Sequence, residues 1–239
     1  MRLAFLISGG GTTATAIINA CKAGQLKNVQ PVLVIASQDD IRGIDKVKTA
    51  GMKAEDVIVI KPQDFAALEA FGQAIVNECQ KRAVDFIGQY GWLCLTPKNV
   101  IKAFQGKMVN QHPGPLDPGH PDFGGKGMYG RRVHAARLMF VRKVNRDFWT
   151  EATAQRVAVN FDQGAVLKRK RVPILENDDV DALQARVLPL EHEVQIETLQ
   201  DFSNGTVKEL NRDKPLVLPG EESILEECKR EAIRLYPER

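Results

Sequence analysis

Residues 1–24 read MRLAFLISGGGTTATAIINACKAG, and this opening decides the fold. Leu3 to Ile7 is a short apolar run of buried-strand type. It is too brief for the apolar region of a signal peptide, and it runs into glycines rather than a cleavage site. Gly9, Gly10 and Gly11 follow, and Thr13 to Ala23 then spaces its apolar residues as a helix does until Gly24 ends it. Strand, glycine-rich turn and helix are the first half of a βαβ unit. The turn also has a chemical reading. Glycines let backbone N–H groups approach an anion closely, a helix start favours negative charge, and the hydroxyls of Thr12 and Thr13 add donors. Two other readings stay open: a tight turn with no ligand, and the dinucleotide pattern Gly9-x-Gly11-x-x-Ala14. The second wants an acidic residue closing the next strand, where this chain has Ala36-Ser37-Gln38 before Asp39.

Outward from this opening the same alternation continues. Pro31 to Ala36 reads as a second strand, with a short helix over Gly43 to Ala50. Val57 to Ile60 is a third strand. From Asp64 to Arg82 one apolar stripe runs through Phe65, Leu68, Phe71, Ile75, Val76 and Cys79, with Asp64 as N-cap. Asp85 to Gln89, a helix over Pro97 to Phe104, and Lys107 to Asn110 complete the series. Short strands alternating with helices predict an α/β, Rossmann-like, doubly wound and mostly parallel sheet. After a loop rich in glycine and proline, Tyr129 to Val141 is helical, with Leu138, Met139 and Val141 as core. Gln155 to Phe161 and Val166 to Ile174 alternate like paired strands around the turn Asp162-Gln163-Gly164. Asp181 to Phe202 is a long helix, and Glu221 to Tyr236 is a charged helical tail, appended or facing a partner.

Composition excludes several classes. An apolar share of 44% over 239 residues suits a globular core, and no stretch approaches the length of a membrane span. The net charge of +3 is small and evenly spread, which argues against a nucleic-acid partner. The one basic run, Lys168 to Arg171, reads as a solvated strand face. Cys21, Cys79, Cys94 and Cys228 are widely separated, with no CxxC pair. That spacing opposes a zinc site and a disulfide framework, and it fits reduced thiols in a cytoplasm.

The end of the fifth strand carries the chemistry. In KMVNQHPGPLDPGHPDFGGKG, residues 107–127, Asn110 and His112 are two apart and therefore share a face, while Gln111 points away. Pro113 ends the ladder and leaves both at the carboxyl edge of the sheet, where open α/β folds bind ligands. Asp162, in a tight turn, is the natural partner for His112, and a carboxylate there favours the protonated imidazole. An amide and an imidazolium make an oxyanion site, with the carboxylate to handle protons. The same residues also fit a hydrogen-bonded structural histidine. Asp117, His120 and Asp122 in the following loop fit a flexible polar loop better than a metal site. His134 and His192 are expected at the surface or the edge of the core, and Trp149 in the core.

Four segments occur in order: LISGGGTTATAIINAC, Asn110-Gln111-His112-Pro113, Asp162-Gln163-Gly164 and DVDALQARVLPLEHE. Together they resemble the formyltetrahydrofolate-dependent formyltransferases, over roughly Met1 to Leu210. The branch most alike takes glycinamide ribonucleotide as its amine acceptor in purine synthesis. The resemblance implies a formyltransferase-fold catalytic domain over residues 1–210 and a helical extension over 211–239. It implies Asn110, His112 and Asp162 as the catalytic trio. Asn110 and His112 would stabilise the tetrahedral intermediate, while Asp162 would hold His112 protonated and move a proton through water. Gly9, Gly10, Gly11, Thr12 and Thr13 would hold the acceptor phosphate. Gly91, Trp92 and Leu93 would line the pocket for 10-formyltetrahydrofolate, the cosubstrate, and no metal is implied. The implied protein is cytoplasmic, a monomer or homodimer, with small-molecule substrates and neither nucleic-acid nor membrane partners.

The pattern departs around the acceptor. Gly10 and Thr13 stand where the family carries asparagines, and Gly114-Pro115-Leu116-Asp117-Pro118 replaces Ser-Leu-Leu-Pro. The loop to Gly127 is longer. Tyr129-Gly130-Arg131-Arg132 replaces a histidine-rich stretch, and an arginine is missing between Gln63 and Leu68. An amino-sugar nucleotide thus remains an alternative acceptor, and formyltetrahydrofolate hydrolysis an alternative reaction. The hydrolases usually bear an N-terminal regulatory domain, whereas here the catalytic fold is expected to start at Met1. The methionyl-tRNA branch fits less well, since too few residues follow Gly205 for its C-terminal domain. A non-catalytic nucleotide-binding module is opposed by the intact trio.

Overall fold

In the computed structural model, which describes residues 1–237, β1 (Arg2–Ile7) has Leu3 to Ile7 wholly buried. It pairs in parallel with β2 (Gln30–Ala36) on one side and β4 (Phe86–Gln89) on the other. Farther out, β3 (Val57–Val59) joins β2, and β5 (Met108–His112) joins β4, again in parallel. Strands covered on both faces read as continuous apolar runs, which is how Leu3–Ile7 and Val32–Ala36 are written. The last two strands, β6 (Trp149–Arg156) and β7 (Val166–Pro173), are antiparallel to each other. The strand order is β3-β2-β1-β4-β5-β6-β7. The helices are α1 (Thr12–Lys22), α2 (Arg42–Thr49), α3 (Leu68–Lys81), α4 (Lys98–Ala103), α5 (Arg131–Val144), α6 (Val180–Asn204) and α7 (Glu222–Leu235). The sheet is the mostly parallel one expected, and the C-terminal helix is present. Residues 1–110 with 195–207 form one compact unit, and residues 111–194 with those from 208 on form another. Among the described residues no helix is long and apolar enough to cross a membrane.

Four expectations need correction. Asp64 does not cap α3. Pro62 opens a single 3₁₀ turn ending at Asp64, the chain then bends through Phe65 to Ala67, and the helix begins at Leu68. The bend brings the Phe65 and Phe71 ring centroids within 5.8 Å of each other, so ring packing sets the entry. The first hairpin strand is Trp149–Arg156, not Gln155–Phe161; Val159 and Phe161 are instead exposed. His134 is wholly buried rather than at an edge. Trp149 is only half-buried, its ring held between the guanidiniums of Arg137 and Arg171 at 4.7 and 4.1 Å.

In the second unit α5 packs on α7. Val133, Ala136 and Phe140 of α5 meet Leu225, Cys228 and Ala232 of α7, with Phe123, Leu216 and Val217 closing the cluster. The positions 225, 228 and 232 recur at helical spacing, so the charged tail has one apolar stripe and buries it within its own unit. An ion pair between Arg146 and Glu221 fixes the start of α7.

Candidate functional site

The first unit carries the glycine loop at the start of a helix. Helix α1 starts at Thr12 behind Gly11, whose φ of 63° is left-handed, and its first turn has neither an acidic residue nor a capping side chain. Its leading N–H groups and the positive end of the helix dipole thus remain for a ligand. The three glycines do different jobs. A Cβ on Gly11 would lie 2.6 Å from the Cα of Gly43, so packing demands glycine there. A Cβ on Gly9 would meet nothing within 4 Å, and one on Gly10 only a Thr12 methyl at 4.0 Å. Free space over backbone amides fits a phosphate.

This loop is tied to the segment after β4. Ser8 donates its N–H to the carbonyl of Gly91 at 3.0 Å, and its hydroxyl oxygen accepts from Leu93 N–H at 3.0 Å. Gly9–Thr13 and Gly91–Leu93 are therefore neighbours. Within the second group the roles differ. Trp92 is buried and stacks on Phe71 with centroids 6.2 Å apart, whereas Leu93 is 47% exposed. Asn110 lies in β5 in register with Gln89. A polar cavity of about 450 Å³ opens nearby in the same unit, lined by Ser37, Gln38, Asp39, Lys61, Gln63 and Cys94. Lys61 pairs with Asp39 at 2.8 Å, and burial pushes the Cys94 thiol up. The Ser37 hydroxyl lies 2.7 Å from that of Ser8, which links the cavity wall to the glycine loop. Sequence reading did not find this cavity, because no spacing rule joins positions 37, 61 and 94.

The second unit brings His112 and Asp162 together. β5 runs on through His112 rather than stopping at Asn110. His112 is 2% exposed, and its Nδ1 lies 3.6 Å from Asp162 Oδ1, an ion-pair distance rather than a hydrogen bond. Asp162 is held separately: Gln155 Nε2 donates to Oδ1 at 2.7 Å, and the Gly125 N–H donates to Oδ2 at 2.9 Å. The turn is shaped for this. Asp162 has a φ of 57°, and a Cβ on Gly164 would stand 1.7 Å from the Arg156 carbonyl oxygen. His112 Nε2 is buried with no hydrogen-bond partner among the described residues. A buried imidazole with one nitrogen beside a fixed carboxylate and the other free can donate to an oxyanion.

The long loop has its own scaffold. The buried Asp122 accepts from the N–H groups of Asp117 at 2.8 Å and Gly124 at 2.9 Å, and burial pushes its carboxyl up. Asp122 thus serves the loop's backbone, while the exposed His120 stands 3.6 Å from the buried Asp117. Thr153 donates its hydroxyl to the Gly114 carbonyl at 2.8 Å. His134 lies near enough to feel the charge of His112, and burial lowers its pKa to about 4. Gln155 and Gly125 were not foreseen in the sequence, since a lone glutamine and one glycine among many carry no signal.

The chain belongs to the formyl transferase family, whose profile matches residues 1–199. Particular relatives are more narrowly described. The chain is 32% identical over 205 residues to the chloroplastic phosphoribosylglycinamide formyltransferase of Vigna unguiculata, covering 83% of this chain and 60% of that one. It is 26% identical to the phosphoribosylglycinamide formyltransferase of Escherichia coli K12, covering 87% and 90%. Among solved structures, glycinamide ribonucleotide transformylase 1 from Symbiobacterium toebii superposes with a TM-score of 0.75 at 27% identity, over 88% of this chain and 94% of that one.

Proposed function

We propose that the chain transfers the formyl group of 10-formyltetrahydrofolate to the amine of glycinamide ribonucleotide, a step of de novo purine synthesis. The observation that carries the reading is the buried His112–Asp162 pair directly after Asn110, at the carboxyl end of a parallel strand. Asn110 and His112, two apart on β5, would donate to the oxygen that gains charge as the amine adds to the formyl carbon. Such a donor pair typically contributes a few kcal/mol each to the transition state. Asp162, oriented by Gln155 and Gly125, would take the proton from the amine and return it to the leaving nitrogen through water. Gly9 to Thr13 would hold the acceptor phosphate. Gly91 and Leu93 would face the folate, with Trp92 fixing their backbone from beneath.

The reading assigns the chemistry to residues 1–210, in a cytoplasmic monomer or homodimer that takes small molecules rather than nucleic acid or membrane as partners. The test is a spectrophotometric assay of folate deformylation with and without glycinamide ribonucleotide. Signal that requires the amine supports the proposal. Signal without it makes the chain a hydrolase, and silence in both overturns the acceptor assignment.

A further inference from the structure

One peptide group in the long loop is gripped from both ends. Its N–H, on Gly125, donates to Asp162 Oδ2 at 2.9 Å. Its carbonyl oxygen, on Gly124, accepts from the ammonium of Lys229 at 3.0 Å. Lys229 belongs to α7, outside the residues the family profile matches. It sits beside the stripe Leu225, Cys228 and Ala232 that seats α7 on α5, so its reach to the loop is set by buried packing. The loop is shaped to accept the grip. Gly125 has a φ of 104°, which only glycine adopts without strain. A Cβ on Gly124 would come within 2.6 Å of the Asp162 Cβ, so this peptide lies against the aspartate. On the other side Asp122 Oδ1 accepts the Gly124 N–H at 2.9 Å, and Arg132 of α5 donates to the Gly127 carbonyl at 3.0 Å.

We propose that Lys229 is a positioning residue for the transfer: through the Gly124–Gly125 peptide it orients, and strengthens the hydrogen bond to, the carboxylate of Asp162. The physical ground is polarisation. A cation on the carbonyl oxygen draws electron density from the amide and makes its N–H a better donor, as in any chain of linked hydrogen bonds. The effect reaches Asp162 without Lys229 touching substrate. It gives the C-terminal helix a part in the chemistry, where the apolar stripe alone gives it only a part in the fold. The inference rests on the reading of Asp162 as catalytic.

The test compares Lys229→Met, Lys229→Arg and Asp162→Asn in the full chain. Lys229→Met is expected to lower kcat about tenfold or more, the scale of a slightly misplaced reacting group, with KM for both substrates and Tm little changed. Lys229→Arg, which keeps the charge and the donors, is expected to regain most of the loss. Amide exchange at Gly125 is expected to quicken in Lys229→Met alone. Unchanged kcat in Lys229→Met, or a loss that arginine does not rescue, overturns the relay. Full turnover in Asp162→Asn overturns the catalytic reading and the relay together. Lost turnover there beside full turnover in Lys229→Met overturns the relay alone.

Discussion

A methyl group added at Gly10 would enter free space, whereas one at Gly11 would press on the Cα of Gly43 from a residue with φ of 63°. The two substitutions thus separate ligand from scaffold. Gly10→Ala is expected to leave Tm unchanged and to raise KM for a phosphate-bearing acceptor, read by steady-state kinetics. Gly11→Ala is expected to lower stability by roughly 1–3 kcal/mol, read by thermal melting. Asn110→Ala is expected to lower kcat by on the order of a hundredfold, the usual cost of an oxyanion donor. Combined with His112→Ala, its effect should be less than additive, because both residues serve one transition state. Wild-type turnover in Asn110→Ala would remove that residue from the chemistry. Of these residues, Gly10 and Gly11 stood out by type, His112 by type and the proline after it, and Asn110 by its spacing from His112.

Two buried groups on helices α5 and α6 set opposing pH dependences. His134 in α5 has neither ring nitrogen bonded among the described residues, and burial lowers its pKa to about 4. Folding therefore keeps it neutral, and its contribution to stability is present above the ordinary histidine range and lost as pH falls toward 4. Glu191 in α6 accepts a hydrogen bond from Gln111 at 2.6 Å, and burial raises its pKa to about 7. Its contribution is present below the ordinary carboxyl range and is lost as pH rises through 7. Each shift corresponds to roughly 3 kcal/mol at its limit, and between the two ranges the slopes oppose each other. Glu191→Gln should steepen the fall in Tm on acidification below pH 6.5, and His134→Asn should steepen the fall in Tm as pH rises from 5 to 7. Parallel profiles for all three proteins would refute this. At this scale the parallel strands were plain in the sequence, because strands covered on both faces are written as apolar runs. β6 was not. Its inner residues, Thr150 to Gln155, are buried, yet four of the six are polar. Thr153 is bonded to Gly114, Glu151 to Arg212 and Gln155 to Asp162. Their burial depends on partners beyond the strand, for Thr153 and Glu151 far along the chain, which no local period reports. The exposed Val159 and Phe161 imitated a strand in its place.

Across the whole molecule, the match to the family profile ends at residue 199 while the packing does not. Leu225 is 1% exposed on the face that α7 turns to α5. Leu225→Ala is expected to cost about 2–5 kcal/mol, the range for a buried leucine in a packed core. A denaturant midpoint that does not move would show that α7 is dispensable to the second unit. The order of synthesis gives this packing a further meaning. Helix α5 ends at Val144, and the helix that covers its apolar side is not complete until Leu235. At ribosomal rates of about 5–20 residues per second, that side waits on the order of ten seconds, uncovered, for its lid. The peptide that α7 clasps beside Asp162 waits as long. A nascent chain therefore carries its oily face and its unclasped loop until α7 is made, and acquires the clasp only then.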